Sequence, residues 1–167
     1  MSWSQDDIIF PTHAVGPPPR WGSEAERLQV ATSDGHTLQG VYIPPSRNAA
    51  GPKTLILGFG GNAWNGEDVA LYIRDLYPAC HVVAFHYRGY RPSTGRPSAK
   101  ALLADAPLVF DAAVERVRPE RTIVVGSLSK EHRMIGWRVG WVAGPAETIE
   151  DAGWAHVYST TTPLGLA

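Results

Sequence analysis

The amino-acid sequence predicts an α/β fold: a mainly parallel sheet with helices on both faces and an antiparallel hairpin at its N-terminal side. Three short apolar runs, at residues 54–59, 81–85 and 122–125, are of strand length, and helical stretches separate them. An Asp-Gly pair lies between two earlier β-rich runs. A chain of 167 residues that is 44% hydrophobic is large enough to enclose one core.

The first elements are a lead-in and a hairpin. Residues 1–26 are expected to be irregular, because Gly16-Pro17-Pro18-Pro19 favours an extended surface stretch. Residues 27–32 and 37–43 are predicted strands, and Ser33-Asp34-Gly35-His36 between them is a hairpin signal. The hairpin is expected at an edge of the sheet, with residues 122–126 in its interior.

Strands and helices alternate after the hairpin. The run at 54–59 ends in Gly60-Gly61, and a helix is predicted from about 66 to 77 before the run at 81–85. A second helix is predicted over 98–117, where apolar residues recur mostly every three or four positions: Leu102, Leu103, Pro107, Phe110, Val114 and Val117. The fully apolar run 122–125 then predicts a buried strand, and residues 136–143 and 145–151 predict an added strand and a short helix.

Charge and cysteine content exclude some classes of function. The net charge is −1, and the 15 Lys and Arg are scattered, which argues against nucleic-acid binding. Cys80 is the only cysteine, so an internal disulfide is excluded and a reducing compartment is favoured. The N-terminus is polar and acidic, and no stretch is long and apolar enough for a membrane span. We therefore expect a cytoplasmic protein without membrane contacts.

Residues 1–126 resemble the α/β-hydrolase superfamily, in particular its serine-esterase and peptidase-like members. The likeness is carried by segments 31–45, 57–62 and 85–95 and by the helix that contains Asp105. It implies a truncated α/β-hydrolase-like core in which Gly60, Gly61 and Asn62 donate backbone N–H groups to an oxyanion. Without that resemblance, an ordinary turn between strand and helix would be the favoured explanation of the same glycines. His86 is expected to be a packed or capping histidine rather than a base.

The nucleophile that this family requires is missing from its expected position. The family places it in a Gly-x-Ser-x-Gly turn after the fifth strand, where this chain reads Gly126-Ser127-Leu128-Ser129-Lys130. Leu128 therefore stands where the nucleophilic serine belongs. Asp151 and His156 are too close in sequence to lie on two separate strand-end loops. We expect no working triad and no metal site.

A second resemblance begins near residue 124. The segment 124–145, which contains Ser127-Leu128-Ser129-Lys130 and Gly136-Trp137-Arg138-Val139-Gly140, is similar to class I and II aminotransferases, and residues 152–165 look like its continuation. The resemblance implies a Schiff-base lysine at Lys130, and a phosphate held by Ser127 and Arg138. Arg133 departs from the family pattern. Ser-x-x-Lys alone would also suggest a β-lactamase-like site, but the Ser-Asp-Asn and Lys-Thr-Gly partners are missing.

Three functional hypotheses therefore compete. The chain is an α/β-hydrolase-like protein with little or no esterase activity, an aminotransferase fragment that binds pyridoxal phosphate weakly through Lys130, or a non-catalytic folded chimera. The hydrolase interpretation requires no cofactor, and under either enzymatic interpretation the partner is a small-molecule substrate. We expect a lead-in at 1–26, a core at 27–126, and an aminotransferase-like segment at 127–167 that packs into the same domain.

Overall fold

The computed structural model describes residues 9–17, 19–20, 22–48, 50–61, 63–127 and 140–150. It contains a single 3₁₀ turn at Thr12–Ala14. The strands are β1 (Glu26–Ala31), β2 (Thr37–Ile43), β3 (Thr54–Gly58), β4 (His81–Phe85), β5 (Arg121–Ser127) and β6 (Gly140–Ala143). The helices are α1 (Gly66–Leu76) and α2 (Ala99–Val117), and residues 146–150 are also helical.

The six strands form one mixed sheet in the order β1-β2-β4-β3-β5-β6. The adjacent strands β4, β3 and β5 are parallel, whereas β1 with β2, β2 with β4 and β5 with β6 are antiparallel. The predicted α/β architecture with an N-terminal antiparallel hairpin is confirmed. The hairpin lies at one edge, and β5 lies inside the sheet because β6 covers its outer side.

The alternating side chains of β3 divide the interior into two cores. Leu55 and Leu57 pack on the face that carries α2, together with Val109. Ile56 packs on the opposite face against Val69 of α1. The alternation follows from the period of two along a strand. The chain therefore places α1 and α2 on opposite faces of the sheet, as predicted.

Local capping interactions fix where the two helices begin and end. Asn65 precedes α1, and its side-chain oxygen accepts a hydrogen bond from the Asp68 backbone N–H at 2.7 Å. Ser98 precedes α2 and accepts from the Ala101 N–H at 3.1 Å. These residues satisfy N–H groups that the first turn leaves without partners. Arg118, in the left-handed conformation with φ +49°, ends α2.

Arg88 connects three elements that are far apart in sequence. Its guanidinium is buried and donates two hydrogen bonds to Asp105 of α2, from Nε at 2.9 Å and from Nη2 at 2.5 Å. It also donates through Nη1 to Asp34 in the β1–β2 turn. The hydrogen bond from Arg88, followed by one from Thr32, lowers the pKa of Asp34 from 3.8 to about 2. The ion pairs therefore join the hairpin, the loop after β4 and α2.

Strand β6 is the last described strand, and it pairs with β5. Its register pairs Gly126 with Trp141 and Ser127 with Gly140. The Trp141 ring contacts Phe59 at 6.5 Å between centroids, and Arg121 pairs with Glu147 at 2.9 Å. The predicted strand over 136–143 is thus observed at Gly140–Ala143, while 136–139 lie outside the described residues. Within the described chain, no helix combines the length and apolar character needed to cross a membrane.

The packing of Trp141 on Gly126 predicts a strong coupling between the two positions. A Cβ added at Gly126 would lie 2.5 Å from Cζ2 of Trp141. We expect Gly126→Ala to lower the free energy of unfolding by about 1–3 kcal/mol, because the added methyl overpacks this contact. The loss should be smaller by about 1 kcal/mol or more in a Trp141→Ala background. Urea unfolding of the four proteins measures this cycle.

Gly61→Ala is the matched control, because a Cβ there would meet no atom within 4 Å. It should change the free energy of unfolding by less than about 0.5 kcal/mol. Equal losses for Gly126→Ala with and without Trp141 would show that β6 does not pack on β5 in this way.

The lowered pKa of Asp34 predicts how stability depends on pH. Because the pKa is lower in the folded state, the stabilisation from Asp34 is complete above its ordinary pKa of 3.8 and is lost as the pH falls through about 2. Asp34→Asn should therefore be less stable than the parent at neutral pH, and the difference should shrink towards pH 2. Urea unfolding across this range measures it. Asp111→Asn, on the exposed surface of α2, is the charge-matched control, and an equal pH profile for both variants would contradict the role of Asp34.

Candidate functional site

The carboxyl ends of β3, β4 and β5 meet at one edge of the sheet. Strand β3 lies between the other two, with Gly58 opposite Ala84 on one side and Val125 on the other. The helices that follow β3 and β4 leave on opposite faces of the sheet. In open α/β sheets, a crevice forms where successive connections diverge in this way, and ligands bind there. This edge is the candidate site.

The predicted oxyanion loop begins directly after β3. The Phe59 N–H donates to the Val125 carbonyl at 2.8 Å, and the Gly60 carbonyl accepts a hydrogen bond from the Tyr87 hydroxyl at 2.7 Å. A Cβ at Gly61 would meet nothing within 4 Å, so the backbone is accessible there. The predicted residues Gly60 and Gly61 therefore lie at the candidate site, while Asn62 lies outside the described residues.

Ser127 reaches the same edge from β5. The β3–β5 register ends with Gly58 beside Val125, two residues before Ser127. Ser127 is the last residue of β5 and pairs with Gly140 in an antiparallel ladder. Its backbone therefore belongs to a strand. The predicted Lys130 and Arg138 lie outside the described residues, as do Leu128, Ser129, Asp151 and His156.

A buried ion pair lies beneath the loop after β3. His86 follows β4, and its Nε2 contacts Oε2 of Glu67 in the first turn of α1; both side chains are buried. These two atoms have no other hydrogen-bond partner within the described residues. The Gly66 N–H donates to His86 Nδ1 at 3.4 Å.

This pair holds α1 against the end of β4. Burial favours the neutral carboxyl group, but the hydrogen bond and the charge of His86 outweigh it and keep the pKa of Glu67 below its usual value. A Cβ at Gly66 would lie 3.0 Å from the His86 backbone nitrogen, so only glycine allows the helix to begin this close. His86 is a packed, capping histidine, as predicted, and it is not accessible to a substrate.

An apolar cleft opens beside this edge, on the α2 face. It encloses about 450 Å³, including its open mouth, and its walls are mainly apolar: Leu38, Phe59, Phe85, Leu102, Leu103 and Val109. Arg88 and Asp105 also line it, but they are paired with each other. The cleft can therefore accommodate an apolar group and offers it no unpaired charge. In the described part of the chain, no three His, Cys, Asp or Glu side chains are grouped to hold a metal ion.

Local sequence patterns contain only weak signals for the polar contacts at this edge. No motif indicates a role for Glu67 or Tyr87. Arg88 follows a buried strand, and an arginine at such a position needs a carboxylate partner. That rule could have found the ion pair, but it could not have identified Asp105 and Asp34 as the partners, because the three residues meet only in the folded chain.

Comparisons with known proteins give two different likenesses. The chain matches the family "Aminotransferase class I and II" over residues 90–160. It is 37% identical over 168 residues to an aspartate/prephenate aminotransferase of Cereibacter sphaeroides, covering 97% of this chain and 40% of that protein. It is also 33% identical over 108 residues to an uncharacterised protein of Mycobacterium tuberculosis, covering 62% of this chain and 38% of that protein. The chain thus spans about 40% of the length of these relatives.

The structural comparison concerns the fold. An α/β hydrolase of Vibrio vulnificus aligns with a TM-score of 0.55 and 21% identity, covering 74% of this chain and 48% of that chain. The aminotransferase alignment extends far beyond the family match at 90–160. The family match begins at residue 90, earlier than the start near residue 124 that the sequence resemblance indicates. The chain therefore combines an α/β-hydrolase-type fold with a fragment similar to class I and II aminotransferases.

Proposed function

We propose that this protein uses an α/β-hydrolase scaffold without its nucleophile and has little or no ester-hydrolysing activity. The observation that carries the proposal is the conformation at the end of β5. Gly126 and Ser127 are ladder residues opposite Trp141 and Gly140, whereas a hydrolase nucleophile lies on a sharp turn between strand and helix. The sequence supports the same conclusion, because Leu128 occupies the position of the nucleophile.

The histidine at this edge supports the proposal. A serine nucleophile needs a base within hydrogen-bonding distance, and the base must exchange protons with the substrate. His86 is the histidine that directly follows an inner strand, and its ring is enclosed between Glu67 and the start of α1. A histidine held in this way orients the helix and cannot relay protons to a ligand.

The proposal predicts that simple esters are not hydrolysed above the background rate. A fluorophosphonate that labels active serine hydrolases should leave the protein unmodified in intact-mass spectrometry, because no serine is activated by a base. An active esterase labelled in parallel is the positive control. Stoichiometric labelling at Ser127 or Ser129, lost in the corresponding alanine variant, would overturn the proposal.

A second candidate function is weak binding of pyridoxal phosphate at Lys130. The family match at residues 90–160 contains Ser127, Lys130 and Arg138. In the sheet, Ser127 lies opposite Gly140. Lys130 is three residues from the first and Arg138 two from the second. When bound, the cofactor supplies an aldehyde for the lysine and an electron sink for amino-acid chemistry.

The residues that the aminotransferase resemblance assigns to this cofactor fit it only in part. A hydroxyl, an ammonium and a guanidinium suit its phosphate and aldehyde groups. Its ring nitrogen needs a free carboxylate, but Asp34 and Asp105 are paired with Arg88, and Glu67 is paired with His86. We therefore propose weak binding without transamination. Under either candidate, we propose a cytoplasmic protein that binds a small molecule and no nucleic acid.

The second candidate predicts selective modification of Lys130. After incubation with pyridoxal phosphate and reduction with borohydride, peptide mapping should find the adduct mainly on Lys130. The adduct should be absent in Lys130→Ala and reduced several-fold in Arg138→Ala, because the guanidinium holds the phosphate. Lys53 and Lys100 serve as internal controls. Labelling spread evenly over all three lysines would reject the site and leave the non-catalytic module as the remaining hypothesis.

A further inference from the structure

Helix α1 carries large apolar side chains that the fold leaves uncovered. Trp64, just before the helix, and Tyr72 and Leu76 within it are between 46% and 56% exposed. The buried residues of α1, among them Val69 and Ile73, pack against the sheet. Because a helix has two sides, one side of α1 belongs to the core and the other presents Tyr72 and Leu76 to the surroundings.

The three exposed side chains form a strip along the helix. The rings of Trp64 and Tyr72 pack edge to face, with 5.7 Å between their centroids. Leu76 follows Tyr72 by four residues and is therefore its neighbour on the helix surface. Enclosed aromatic side chains bury roughly 150–250 Å² each, so this α1 strip exposes on the order of 300 Å². Apolar patches of about this size on a soluble protein are often functional.

The charges beside the α1 strip are mainly acidic. Asp68 and Asp75 are exposed on the same side of the helix. The Asn65 amide donates to Asp68 at 2.7 Å, and within the described residues Asp68 has no cationic partner. Arg74 is the single basic residue of α1, and it is shared between Asp75 at 2.7 Å and Glu24 at 3.8 Å. The surface around the strip is therefore negative overall.

The geometry and charge of the α1 strip specify what can cover it. The inner N–H and C=O groups of a helix are bonded within it, so a strand cannot pair with this surface and side-chain packing is required. Rows of side chains four residues apart, such as Tyr72 and Leu76, are the ridges against which a second helix packs. An acidic surround favours a basic helix. A second copy docked through the same face would bring Asp68 and Asp75 against their own equivalents.

We propose that the α1 strip docks a basic amphipathic helix of a partner protein. The apolar side of that helix covers Tyr72 and Leu76, and its Lys or Arg side chains lie beside Asp68 and Asp75. A cation over the Trp64 ring adds a cation–π contact. Tyrosine and tryptophan are the residue types that most often dominate the affinity of an interface. This inference is independent of the catalytic proposals, because the strip lies on the side of α1 that faces away from the sheet.

Two synthetic peptides test the chemistry of the partner. The first is an amphipathic helix of Leu and Lys with about five turns, and the second has Glu in place of every Lys. Fluorescence anisotropy of the labelled peptides measures binding. The Lys peptide should bind, and its affinity should fall several-fold between about 0.1 M and about 1 M salt, because added salt screens the charges. The Glu peptide should not bind up to about 1 mM.

Substitutions in the parent protein locate the binding surface. Tyr72→Ala should raise the dissociation constant of the Lys peptide about tenfold, because it removes an aromatic contact while alanine preserves the helix. Asp75→Asn should raise it several-fold and reduce the salt dependence. Phe110→Ala, which removes an exposed aromatic side chain from α2, is the matched control and should leave the dissociation constant unchanged.

Four results would overturn the proposal. Neither peptide binds, or both bind equally well. The Lys peptide binds Tyr72→Ala as tightly as it binds the parent, or Phe110→Ala weakens it to the same extent. Sedimentation velocity of the parent alone tests the remaining occupant: it should show no dimer that Tyr72→Ala abolishes, since such a dimer would make a second copy the partner of this surface.

Discussion

The arrangement of the hairpin, the loop after β4 and α2 depends on the ion pairs of the buried Arg88 guanidinium. It holds Asp105 of α2 with two hydrogen bonds and contacts Asp34 of the hairpin turn. A buried ion pair adds little net stability compared with apolar packing, but losing one partner leaves an uncompensated charge, at a cost of about 3–5 kcal/mol. The pair therefore specifies one arrangement of hairpin, loop and helix. His86 and Glu67 act in the same way on the opposite face, where they fix α1.

The end of β5 is joined in the sheet to the last described strand. Strand β5 continues through Ser127 and is followed in the sheet by the antiparallel strand β6. The Trp141 ring lies over Gly126 and against Phe59, which begins the loop after β3. The fragment similar to aminotransferases thus contributes an edge strand to the sheet. The family match at 90–160 also includes α2 and β5.

Much of the fold could be predicted because its signals are local. Apolar runs of strand length identified β3, β4 and β5, the Asp34-Gly35 pair identified the hairpin, and Asn65 and Ser98 are the type of residue that begins helices. The alternation along β3 also places its side chains correctly: Leu55 and Leu57 pack in one core and Ile56 in the other.

The polar contacts could not be predicted, because they join residues that are far apart in sequence. Arg88 and Asp34 are separated by 54 positions, and nothing local indicates that they meet. The direction of β6 also depends on the loop that precedes it, and the apolar pattern of four residues contains no information about parallel or antiparallel pairing. Of the predicted site residues, Gly60 and Gly61 follow β3 and Ser127 ends β5, two strands that are neighbours in the sheet.

Strand β5 extends through Ser127 and pairs with β6, where a hydrolase would have its nucleophile turn. Cross-strand nuclear Overhauser contacts in the labelled protein test this pairing directly. We expect backbone contacts between Gly126 and Trp141, and between Val124 and Ala143, in agreement with the β5–β6 register. Sequential helical contacts beginning at Ser127, without any contact between β5 and residues 140–143, would contradict it.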